Sequence, residues 1–276
     1  MKIDSHQHFW KYDPIRDSWI DDSMETIRRD FFPDDLEDLL EQNGIDGCVA
    51  VQADQSEKET EFLLHLANEN NFIKGVVGWV DLCASNVSER LGHFSKNPYF
   101  KGVRHILQAE NNDFMLQKSF QHGIEQLKQF DLSYDILVFP NQLKNSIALV
   151  ERFPEQRFVL DHLGKPNIKD GEMDNWRADI EALAKHPNVY CKLSGMVTEA
   201  DWNNWKPHDI YPYIEKIINA FGTDRIMYGS DWPVCLLAGK YDEVFGIVKE
   251  YIRQLTKDEQ NNILGGAAAS FYKLSA

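Results

Sequence analysis

Two histidines two residues apart, His6 and His8, stand in the opening run D-S-H-Q-H-F-W. Side chains alternate along an extended strand, so both imidazoles face the same way. A pair of imidazoles can hold a metal ion, donate N–H bonds to an oxyanion, or move protons. Far downstream, V-L-D-H-L-G at 159–164 ends an apolar run in Asp161 and His162, and Y-G-S-D-W-P at 228–233 ends another in Asp231. A carboxylate there is a poor packing choice. A helix N-cap is the bland alternative, but Pro233 and the apolar run 234–237 delay any helix. Asp231 is thus a candidate general base or metal ligand, with His162 beside it. By strand alternation His162 shares a side with Leu160, and Asp161 takes the other side as a structural residue that bonds backbone or a helix end.

Other strand ends offer substrate contacts. K-G-V-R-H places Arg104 and His105 on opposite sides, so one of them points inward. An inward Arg104 either grips substrate oxygens through its planar fork or forms an ion pair within the barrel. Lys192, in C-K-L-S-G, lies opposite the apolar side made by Cys191 and Leu193, and either binds substrate or pairs with an interior Asp. Gln52 ends the second strand as a hydrogen-bonding residue. Trp10 and Trp232 follow His8 and Asp231 closely and suit the apolar face of a sugar ring or plain packing. The remaining tryptophans carry no separate signal, and His65, His93, His122, His186 and His208 read as solvated. Ser194-Gly195 lacks the G-x-S-x-G elbow of a nucleophilic serine.

The elements that position these residues alternate. Candidate strands cover 2–8, 47–54, 73–82, 101–107, 134–139, 157–162, 189–194 and 225–231, and amphipathic helices cover 33–42, 58–70, 114–130, 142–153, 176–185, 211–221 and 241–255. Such alternation implies a parallel sheet, and eight repeats in 276 residues most simply close into a single-domain (β/α)₈ barrel over 1–276. An open doubly wound sheet lacks support, because no strand leads into G-x-G-x-x-G or a P-loop. The long connection 13–32 would wall a pocket at the C-terminal face.

Composition narrows the partners. A net charge of −15 disfavours nucleic acid and anionic membranes and favours a neutral small molecule. No apolar run reaches the length of a membrane span, and the H-Q-H signature begins too early to follow a cleaved leader. Cys48, Cys83, Cys191 and Cys235 have no metal-like spacing, and the default compartment is a reducing cytoplasm. Nothing in the sequence sets an oligomeric state.

Five motifs in order, H-Q-H-F-W, K-G-V-R-H, L-D-H-L-G-K-P, C-K-L-S-G and Y-G-S-D-W-P-V, resemble the amidohydrolase superfamily, and within it the amidohydrolase-2 branch of sugar lactonases. The resemblance spans nearly the whole chain. It implies a (β/α)₈ barrel and hydrolysis of an aldonolactone. The chain departs from the binuclear pattern of that superfamily. Its fourth strand offers Arg104 and His105 in place of a bridging carboxylated lysine or glutamate, and its fifth strand ends in Phe139-Pro140-Asn141 without a histidine. A single zinc ion on His6, His8, His162 and Asp231 remains geometrically possible. The resemblance to metal-free lactonases implies that none is required. The expected mechanism has Asp231 as general base, His162 orienting it or the water, and His6 and His8 donating N–H bonds to the lactone carbonyl, with activity rising with pH as the base ionises. The rivals are metal-dependent amide or ester hydrolysis, non-oxidative decarboxylation of an aromatic acid, and a non-catalytic sugar-binding barrel.

Overall fold

Eight short apolar runs form eight parallel strands. They are β1 (Ile3–Gln7), β2 (Gly47–Val51), β3 (Ile73–Gly78), β4 (Phe100–His105), β5 (Ser133–Ile136), β6 (Phe158–Leu160), β7 (Val189–Leu193) and β8 (Ile226–Tyr228), each paired with its sequence neighbour. This computed structural model describes residues 1–275. A parallel bridge between Gln7 and Trp232 joins the two ends of the sheet, and the seam is tightened by bonds from Asp231 N to His6 O (2.8 Å) and from His8 N to Trp232 O (2.7 Å). The predicted barrel is therefore present.

Outside lie α1 (Pro33–Asn43), α2 (Glu57–Glu69), α3 (Val87–Phe94), α4 (Lys118–Leu127), α5 (Leu143–Arg152), α6 (Asp174–Leu183), α7 (Pro207–Phe221) and α8 (Tyr241–Tyr251), followed by α9 (Lys257–Asn261) and α10 (Ala267–Tyr272). Their apolar faces pack on the outer face of the sheet to make the main core. Pro33 begins α1, and Gly44 ends it with a left-handed φ of 64°. The expected helix over 114–130 is instead three pieces: 3₁₀ turns at Phe114–Leu116 and Lys128–Phe130 flank α4. Among the described residues, no helix is long and apolar enough to cross a membrane.

A second, smaller apolar cluster joins Ile3, Val49, Val51, Val77, Val159 and Met227 to Ala267, Ala268, Phe271 and Tyr272. Those strand residues come from around the barrel, so the cluster lies inside it. Helix α10 closes the floor from the N-terminal side of the strands. All eight strands end earlier than the sequence suggests, because the residues beyond the ladder turn inward to build the opposite, C-terminal end.

Candidate active site

At β1 the two-residue alternation is interrupted. Asp4 pairs with Cys48 and Gln7 with Ala50, so three steps on β1 match two on β2. This bulge lets Ile3 and His6 both face the interior. His8 follows on the same side, as the sequence spacing suggests. Asp4 is turned outward and clamps the seam: its carboxylate accepts bonds from Ser230 N (2.9 Å), His6 N (3.2 Å) and the Tyr241 hydroxyl (3.0 Å). Burial pushes the Asp4 carboxyl up to about 6, against the bonds from Ser230, His6 and Tyr241. Gly229 is required beside it, since a Cβ there would sit 2.6 Å from His6 Cβ.

Strand β6 stops at Leu160, and the chain enters a tight turn in which His162, Leu163, Gly164 and Lys165 all have left-handed φ, from 51° to 71°. For residues other than glycine such a run is strained and persists only where the surroundings hold it. Here Lys165 N bonds His162 O (2.7 Å), Trp176 Nε1 donates to Leu163 O (2.7 Å), and His162 Nδ1 lies 2.9 Å from Ser194 Oγ. The turn brings Asp161 and His162 to the interior together. The expectation that Asp161 faces outward toward backbone or a helix end is corrected: strand alternation does not extend past Leu160.

Three imidazoles converge on one carboxylate oxygen. Asp231 Oδ1 lies 3.3 Å from His8 Nε2, 3.7 Å from His6 Nε2 and 3.9 Å from His162 Nε2. Burial would raise the Asp231 carboxyl, but the imidazoles outweigh it and hold it well below its ordinary value. Burial drives His162 down to about 4 despite Asp231 and Asp161, and takes His6 well below the usual imidazole value. The ring of His8 has a defined tautomer. Its Nδ1 lies 2.7 Å from the Val51 carbonyl, which has no proton to give, so Nδ1 carries the proton. Its other nitrogen, Nε2, faces Asp231. Both ring nitrogens are thus engaged, and the expected N–H bond from His8 to the substrate carbonyl has no free donor in this geometry.

Beneath them runs an ionic layer. Lys192 Nζ donates to Asp135 Oδ2 (2.6 Å) and His6 Nδ1 (3.1 Å) and lies 3.0 Å from Asp161 Oδ1. Arg104 donates to Asp161 Oδ2 (3.1 Å) and to the Gln52 carbonyl, and Gln52 Nε2 returns a bond to Arg104 O (3.1 Å). Burial raises Asp135 to about 6 with Lys192 opposing, whereas the cations Lys192 and Arg104, together with His6, hold Asp161 well below the carboxylate range against burial.

Above this layer opens a cavity of about 470 Å³. His8, Arg104, His162 and Asp231 form its base, and Trp10, Trp19, Met24, Trp202 and Leu237 its apolar wall. Trp19 and Met24 belong to the long connection after β1. Lys165 and Glu199 pair at 3.0 Å in the wall. His6 sits behind the base, fully buried. Gln52 and Lys192 are also fully buried and do not reach the cavity, because each is spent on the layer below. Trp232 packs against Phe9 and Phe31 rather than the cavity. His105 points away from the barrel interior, stacked on Phe114 and bonded to Glu110 (3.0 Å). Trp19 lies in the connection 13–32 that was expected to wall the pocket, whereas Trp202, Lys165 and Glu199 carried no signal of their own in the sequence. Only Lys165 sat in a quoted motif, the L-D-H-L-G-K-P run.

The donors also fit a cation. His6, His8 and Asp231 offer three ligand atoms within 4.8 Å of one another, with His8 Nε2 and Asp231 Oδ1 facing each other at 3.3 Å. The amidohydrolase family profile matches residues 3–274. This chain belongs to that family. An L-fucono-1,5-lactonase of Burkholderia multivorans is 40% identical over 99% of this chain and 96% of its own, and one of Burkholderia ambifaria is 35% identical over the same shares. A crystal structure of a Burkholderia multivorans amidohydrolase with bound zinc superposes with a TM-score of 0.96, at 40% identity over 100% of both chains.

Proposed function

We propose that the protein opens a sugar lactone to the aldonic acid by attack of water, with no metal ion required. The observation that carries this reading is the buried Asp231 carboxylate, facing three imidazoles at the base of an aromatic-walled cavity. The full-length similarity to named lactonases supports the substrate class. The tryptophans suit the apolar faces of a sugar ring, and Lys165 and Glu199 suit its hydroxyls.

A lactone is an activated ester. Asp231 takes a proton from the attacking water as the new C–O bond forms, and His162 holds the water or Asp231 in place. The proton then goes to the ring oxygen as the C–O bond of the lactone breaks. Arg104 lines the base and has an Nε–H without a partner, so it supplies the positive charge the oxyanion needs, with His6 behind it. A divalent ion on His6, His8 and Asp231 would supply Lewis-acid polarisation when bound. No histidine ends β5 to add to that set. Four free thiols suit a reducing cytoplasm.

A pH-indicator assay on a panel of aldonolactones, before and after dialysis against a strong chelator, tests this. Acid release at an unchanged rate is expected. No turnover on any lactone sinks the activity, and a rate that follows zinc content sinks the metal-free mechanism.

A further inference from the structure

A second set of side chains has the spacing to hold a metal ion: His6, Asp161 and His162, all buried. Its donors already face cations of the protein itself. Arg104 Nη1 lies 3.1 Å from Asp161 Oδ2 and 3.3 Å from His6 Nε2. Lys192 Nζ lies 3.0 Å from Asp161 Oδ1 and 3.1 Å from His6 Nδ1. Each oxygen of Asp161 and each ring nitrogen of His6 thus contacts a fixed positive charge. We propose that Arg104 and Lys192 are a built-in cation pair that closes the His6–Asp161–His162 group to metal and limits the barrel to at most one divalent ion.

Neither cation can step aside. Lys192 is anchored from outside the group by Asp135 (2.6 Å), which is itself bonded by the Tyr272 hydroxyl (2.7 Å). Arg104 is anchored by the Gln52 carbonyl. A zinc ion bonds such ligands at about 2 Å, so it would stand within a few ångströms of both cations. The layer is dry, and repulsion there is weakly screened. Of the second group only His162 escapes contact with the pair. The first group shares His6 but differs in its other two donors: His8 Nε2 and Asp231 Oδ1 open to the cavity, and neither cation contacts them. In chemical terms the pair is a permanent substitute for an exchangeable ion. It keeps Asp161 ionised and His6 in place whatever the metal supply, which makes Lys192 a positioning residue.

The probe is zinc, titrated into the purified full chain against a chromophoric chelator so that only tight equivalents are counted. The wild type is expected to take no more than one. Arg104→Met removes one cation, and Lys192→Met combined with Asp135→Asn removes the other together with its counter-charge, so that this exchange strands no charge at Asp135. Each change should tighten a second equivalent by about 10–100-fold, the scale of altered outer contacts at a metal site. The variant with all three changes should take two, with His6 losing its ring proton to solvent and serving one ion through each nitrogen, and adding His162→Asn should return it to one. Lys192→Arg keeps the charge and should stay at one. Two tight equivalents in the wild type would overturn the proposal without any variant needing to fold. So would a single equivalent in the three-change variant when its near-ultraviolet circular dichroism is native. No lactone is involved, so this result stands apart from the success or failure of the lactonase reading.

Discussion

Asp231 carries a charge in a place with almost no water, 4% exposed, and three imidazoles are what allow it. Replacing it with Asn keeps the shape and removes the acceptor for the water proton. Asp231→Asn should lose about 10²–10⁴-fold in kcat, the usual scale for a general base, with the fold intact. Near-normal turnover would take Asp231 out of the mechanism. The pH profile follows from the neighbours. His162 is neutral until about pH 4, because burial opposes its charge. Lactone hydrolysis should therefore hold steady between about pH 6 and 8 and decline only on further acidification, as His162 gains a proton and stops orienting the water. This refines the expectation of a rate that rises with pH as the base ionises. An acid limb centred near the unperturbed value of about 6.5 would show that a solvated imidazole, not His162, controls the rate.

The strained turn after β6 depends on a neighbouring element for space. A Cβ at Gly195, whose φ is +61°, would stand 2.5 Å from His162 Nδ1. Gly195→Ala should displace the ring, cost about 1–3 kcal/mol of stability and lower kcat sharply. Thermal unfolding and kinetics measured together would check it, and an alanine variant with native kcat would mean that His162 needs no fixed seat. Elements of this kind mark the limit of sequence reading here. The strands were legible because β-branched and apolar runs sat between turn residues, and alternation limited Arg104 and His105 to one inward side chain without selecting which. Asp161 was misplaced because alternation ceases where hydrogen bonding to the next strand ceases. Helix α3, with Gly92 inside eight residues, was too short to show a period. Trp19, Trp202 and Glu199 come from loops, where no repeat reports which way a side chain turns.

At the scale of the whole barrel, the floor and the site are joined by a line of contacts: Tyr272 of α10 to Asp135, Asp135 to Lys192, Lys192 to His6. Tyr272→Phe deletes one bond to a buried carboxylate and should destabilise the fold by about 1–3 kcal/mol. KM for lactone should not move, since the cavity wall is elsewhere. A shifted KM with an unchanged melting temperature would show the reverse coupling. The same line has a consequence for how the chain reaches its native state. Lys192 from β7 needs Asp135 from β5, Asp161 from beyond β6 and His6 from β1, the strand most distant in sequence. A partial barrel lacking its first strand would leave buried charge without its full set of partners, so half-assembled forms are penalised most at the place where the chemistry will occur. Assembly and competence are thereby tied together: a molecule of this protein that has closed its last seam has, in the same act, armed its site, and one that has not is inert.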